Sequence, residues 1–151
     1  MKILRVLTAT ALATLVLAGT TACTATVSLQ PAELANDPNC AEVSVRLPET
    51  IGTAPKRTTD AQATAAYGNP TAVIVRCGLP EVKVSKLRCV STSDVDWLVD
   101  PSDAPRYRFI SFGRKPATEV IIDSTKAVGV STLDALAPAI KSVAADATCS
   151  G

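Results

Sequence analysis

Five cysteines and no histidine constrain this chain more than any other feature of its 151 residues. The absence of histidine removes His-dependent catalytic triads and the commonest transition-metal ligand together. Aromatic residues make up only 3% of the chain, so its core must be assembled from Val, Ile, Leu and Ala, and a core that thin gains from cross-links. Setting aside Cys23, which closes a leader-like first stretch, leaves Cys40, Cys77, Cys89 and Cys149. An even number of cysteines in an oxidising compartment reads as two disulfides. Spacing alone admits three pairings. The expected one joins Cys77 to Cys89 across a loop of about ten residues between two strands, and Cys40 to Cys149, tying the ends of the domain. A four-thiolate zinc site is the rival, but no CxxC spacing is present and export disfavours it, so neither a metal nor any other cofactor is expected.

The leader-like stretch is residues 1–22. Lys2 and Arg5 form a basic start, Val6 to Ala18 an apolar run, and Gly19-Thr20-Thr21-Ala22 a small-residue cleavage site directly before Cys23. The apolar run is shorter than the roughly 20 residues that span a bilayer as a retained helix. With Cys23 first after the cut, the pattern matches a lipobox in which Thr20 replaces the usual leucine, so Cys23 is the expected lipidation site. An ordinary secretory signal cut nearby is the alternative. Residues 23–38, small and polar with two prolines, read as a flexible tether lifting the domain from the membrane. Residues 39–151 read as one globular domain, since the length leaves room for no second.

Formal charge is +1, from 15 Lys and Arg against 14 Asp and Glu. Removal of Lys2 and Arg5 with the leader leaves a near-neutral, slightly acidic chain. A nucleic-acid partner is therefore not expected.

Within the domain, Asn39 is placed to cap a helix from Cys40 with Cys40, Val43 and Leu47 on one face, although Val43, Val45 and Leu47 also alternate as in a strand. Pro48 ends that element, and Gly52 and Pro55 mark a turn. Lys56 to Thr59 reads as a polar bend, and Ala61 to Tyr67 as a helical turn or an extended segment. The longest β-branched run, Thr71 to Gly78, points Val73, Val75 and Cys77 one way and Ile74 and Arg76 the other. Strands follow at Leu87 to Val90, at Asp94 to Val99 with Val95, Trp97 and Val99 on one face, at Arg106 to Phe112, and at Ala117 to Asp123 with Thr118, Val120 and Ile122 inward. The last two form a hairpin around Gly113-Arg114-Lys115-Pro116. Ser131 to Ala135 starts a helix, and Pro138 suits the first turn of a second one running to about Ala147. The whole predicts an α+β fold: a small, mostly antiparallel sheet with terminal helices, braced by two disulfides.

The ordered series Asp37-Pro38-Asn39-Cys40, Leu47-Pro48, Ala66-Tyr67-Gly68-Asn69-Pro70, Val75-Arg76-Cys77-Gly78, Asp96-Trp97-Leu98 and Gly113-Arg114-Lys115-Pro116 resembles the actinobacterial secreted domain-of-unknown-function 3515 family over Asp37 to Cys149. Tyr67 stands where that pattern has tryptophan, which keeps the aromatic role. The resemblance implies a secreted protein or a lipoprotein on the extracytoplasmic face of the cell membrane, and it supplies no catalytic residues.

Candidate chemistry is sparse. Asp94 and Asp96 share a strand face and could act as acid and base on an envelope polymer, but a solvated outer face is the simpler reading. Arg76, Arg88, Arg106, Arg108 and Arg114 could converge on carboxylate or phosphate groups, with cross-strand pairing to Asp94, Asp96 and Glu119 as the alternative. Among these, Arg76 and Arg114 are the candidate ligand-binding residues. Trp97 and Tyr67 fit a core better than a sugar platform. The function expected is a non-enzymatic binding or interaction domain, held to the membrane by a lipid anchor, with an envelope protein or an anionic envelope component as partner. The alternatives are a secreted unanchored domain and an enzyme using Asp94 or Asp96.

Overall fold

The computed structural model describes residues 25–149. The expected leader and Cys23, the expected lipidation site, lie outside them. In chain order the elements are helix α1 (Pro38–Arg46), strands β1 (Thr50–Ile51), β2 (Ala54–Arg57), β3 (Thr64–Tyr67), β4 (Val73–Leu79), β5 (Arg88–Thr92), β6 (Val95–Asp100), β7 (Arg106–Ser111) and β8 (Ala117–Asp123), and helix α2 (Gly129–Ile140). All eight strands form one antiparallel sheet in the order β1-β2-β3-β4-β8-β7-β6-β5, with the two helices on one face. The fold is α+β, as the sequence predicts.

Alternation decides which residues face the helices. Val73, Val75 and Cys77 on β4, Thr118, Val120 and Ile122 on β8, and Val95 and Trp97 on β6 are all buried. They meet Cys40 and Val43 of α1 and Leu133, Leu136, Ala137 and Ile140 of α2 in one continuous core. A second, smaller cluster of Leu98, Ile110, Phe112 and Ala117 lies on the other face. The loop from Val82 to Leu87 and the C-terminal segment around Ala147 and Cys149 cover it.

Both disulfides differ from the expected pairing. Cys40 bonds Cys77, with Cα atoms 5.5 Å apart, and Cys89 bonds Cys149, with Cα atoms 6.0 Å apart. The expected link between Cys77 and Cys89 assumes that β4 and β5 are neighbours, whereas β8, β7 and β6 lie between them. Cys77 instead faces α1, and Cys89 faces outward, where the C-terminal segment crosses the sheet.

The stretch expected as a free tether is bound along the domain from Ala25 onward. Val27 bridges Thr59 in parallel, its N–H donating to the Thr58 carbonyl at 2.9 Å. The Leu29 N–H donates to Asp60 Oδ1 at 2.8 Å, and the Leu34 N–H to the Gly78 carbonyl at 2.8 Å. Gly78 is not merely a strand end: at φ +113° it sits inside β4, and a Cβ there would lie 2.5 Å from the Ala35 nitrogen.

Local differences follow the same physics. Asp37, rather than Asn39, caps α1, its side chain accepting from the Asn39 N–H, and Pro38 takes the first helical position. Lys56 and Arg57 belong to β2 rather than to a bend. Asp94 is not on a strand; with Ser93 it forms the β5–β6 turn, where both have positive φ. A single helix, α2, replaces the two expected ones, with Pro138 inside its last turn, where it supplies no N–H to the Asp134 carbonyl and the helix ends two residues later.

Candidate functional site

The predicted arginine cluster is only partly assembled. Arg76 on β4 stands directly opposite Glu119 on β8, and Arg108 on β7 approaches the same carboxylate from the other side. Arg76 Nε donates to Glu119 Oε2 at 2.8 Å and its Nη2 lies 2.7 Å from that oxygen, while Arg108 Nε donates to Oε1. Glu119 is 2% exposed, so both of its oxygens are occupied by guanidinium groups that themselves reach water. Arg108 also lies 3.9 Å from Asp100. The alternative of cross-strand pairing to Glu119 therefore describes Arg76 and Arg108 on the sheet's outer face.

Arg114 is elsewhere. The β7–β8 turn folds it inward to 6% exposure, where Nη1 donates to the Val143 carbonyl and Nε has no partner among the described residues. Burial lowers its pKa from the ordinary guanidinium value, and the nearby Asp96 charge opposes that shift. The turn is a junction: Gly113 N–H donates to the Val82 carbonyl, Asp146 N–H to the Gly113 carbonyl, and Arg114 bridges Ala145. Arg88 and Arg106 join neither group, so the five arginines do not converge.

The carboxylates are separated as well. The Asp94 side chain is 92% exposed in its turn, 3.6 Å from Lys141. Asp96 accepts from the Ser91 hydroxyl through one oxygen and from the Cys149 N–H at 2.7 Å through the other. Asp96 thus fastens the C-terminal segment to β6. Trp97 and Tyr67 are fully buried, and the Tyr67 hydroxyl donates to the Pro48 carbonyl at 2.9 Å; burial raises its phenol above the ordinary value. No group of three or more His, Cys, Asp or Glu among the described residues could hold a metal ion.

One mostly apolar concavity is not singled out by periodicity. On the helix face, an open groove of about 520 Å³ runs between the start of α2 and strands β5, β6 and β7, walled by Val90, Val99, Tyr107, Phe109 and Leu133. Val128 and Val130 flank its mouth at 70% and 63% exposure. Val128, Val130 and Leu133 were legible as apolar residues near a helix, but their distance from β5 depends on strand order, which the sequence does not print. No helix among the described residues is long and apolar enough to cross a membrane.

Among curated proteins and among solved structures, nothing matches the chain. A family model does match, over residues 1–148, in keeping with the ordered motifs from Asp37 to Cys149: the chain belongs to the family described as Protein of unknown function (DUF3515).

Proposed function

We propose that this chain is a cell-envelope lipoprotein, anchored through Cys23 on the extracytoplasmic face of the membrane, whose domain is a non-enzymatic interaction module. The observation that carries the reading is the division of labour among the cysteines. All four described cysteines are joined to one another, as an oxidising compartment favours, and neither bond leaves a partner for Cys23, which directly follows the leader-like stretch. The site geometry supports a non-catalytic role, because Asp96 is spent holding Ser91 and Cys149 while Asp94 stands apart in solvent. It also favours a partner protein over an anionic envelope component. Arg76 and Arg108 already share the Glu119 carboxylate, with Asp100 beside Arg108, and Arg114 is turned into the interior.

Intact mass of the protein extracted from the membrane fraction tests the anchor. The expected species begins at Cys23 and carries acyl groups, and an unmodified soluble product sinks it. Cross-linking in living cells followed by identification of the joined peptides tests the interaction role, which fails if only self-links are recovered.

A further inference from the structure

The bound course of residues 25–35 determines which end of the domain a lipid anchor would hold. The Arg57 guanidinium donates to the Ala25 carbonyl at 2.7 Å through one nitrogen, and through another to Gly68 O at 3.2 Å and Thr71 Oγ1 at 3.1 Å. Ala25 therefore emerges beside the β3–β4 turn. At that same end of the sheet β8 finishes, with the Asp123 N–H bonded to the Ala72 carbonyl. Thr71, Asp123 and Lys126 share one cleft, and Lys126 and Val128 line the next, against the β1–β2 turn. The exposed valines 128 and 130, which line the apolar groove together with Tyr107 and Val99, thus lie at the end where the chain leaves the domain toward Cys23. Only Thr24 separates Cys23 from Ala25, and two chain steps reach at most about 7 Å. A domain anchored there has no slack with which to stand away from the bilayer.

We infer that this end docks on the membrane, with Val128 and Val130 seated at the boundary between headgroups and acyl chains and the groove opening toward the lipid. The inference rests on the lipid-anchor reading above. Two exposed valines alone would bind weakly, but the anchor confines them at the surface, so modest apolar burial is enough to fix orientation. Arg106 and Lys126 at the same end are paired with Asp103 and Asp123, so the docking argued here is apolar rather than electrostatic.

The test uses the full-length lipidated protein in vesicles of phosphatidylethanolamine and phosphatidylglycerol with brominated acyl chains. Three variants are compared with the wild type, whose Trp97 supplies a constant buried background: Val128→Trp, Val130→Trp and Val84→Trp. Val84 is fully exposed on the loop beside Phe112, on the opposite face. The expected result is an emission loss about twofold or more greater at positions 128 and 130 than at 84, as burial about 5 to 10 Å into the interface would give. Equal quenching at all three positions, or none, with Cys23 shown by intact mass to be acylated, overturns the docking while leaving the anchor standing. An unmodified Cys23 overturns both.

Discussion

Trp97 is the largest fully buried side chain among the described residues, yet nothing among them accepts a hydrogen bond from its Nε1. An unpaired buried N–H costs about 1 to 3 kcal/mol, so the indole gives back part of what its packing contributes. Trp97→Phe should therefore destabilise by less than about 1.5 kcal/mol, whereas Trp97→Ala should cost about 3 to 5 kcal/mol. Urea unfolding of both variants checks this, and a phenylalanine variant as weak as the alanine one would show that the N–H is satisfied in solution. Gly78 presents the opposite case, a residue whose missing side chain is the point. Gly78→Ala would need φ near +113° and would place a methyl against the Ala35 backbone, so a loss of about 2 kcal/mol or more is expected. Faster amide exchange at Leu34, whose N–H bonds to the Gly78 carbonyl, should accompany it. The sequence shows Gly78 only as the end of a β-branched run, and only the fold shows that the segment before α1 needs the space.

At the scale of elements, period-2 alternation was enough to orient β4, β6 and β8, because each has one face in the main core and β-branched residues at the inward positions. It was not enough for β1 and β2, which are short: β1 is the edge strand, and Pro55 on β2 stands opposite Thr50 of β1 while its carbonyl accepts from the Gly68 N–H where β3 ends. Alternation also placed Arg76 and Glu119 on outward faces without showing that they meet. Glu119→Ala should cost about 3 kcal/mol, the lower end for breaking a buried ion pair, since Arg76 and Arg108 keep access to water. Thermal denaturation against the wild type measures this; a neutral result would mean that the three charges are only loosely held. The end of β8 carries the clearest pH signature. Hydrogen bonds from Lys126 and Thr125 hold the Asp123 carboxyl down to about 2. A folded pKa below the unfolded one means a contribution fully present above about pH 4 and lost as pH falls toward 2. Asp123→Asn should flatten the acid limb of a Tm-against-pH curve in that window, and an unchanged limb would refute the assignment.

For the whole molecule, the order of strands is what the sequence could not disclose. Local spacing made Cys77 and Cys89 look like neighbours, but chain order becomes spatial order only after β8 inserts beside β4 and carries β7, β6 and β5 outward from it. The two disulfides consequently do different work. Cys40–Cys77 joins α1 to a central strand inside the main core, whereas Cys89–Cys149 straps the C-terminal segment over Leu98 and Phe112 on the other face. Sequence separations of 37 and 60 residues give similar chain-entropy contributions of about 4 kcal/mol each. The structure predicts unequal outcomes, because the C-terminal segment can detach without dismantling the sheet or the helices. Replacing Cys40 and Cys77 together by serine should lower global stability by about 2 to 5 kcal/mol. Replacing Cys89 and Cys149 should mainly accelerate exchange and proteolysis at residues 145–149 and raise binding of an apolar dye to the uncovered Leu98 and Phe112, with a smaller fall in Tm. A larger loss from the second pair would mean that the C-terminal strap, rather than the union of α1 with β4, holds the two faces of the sheet together.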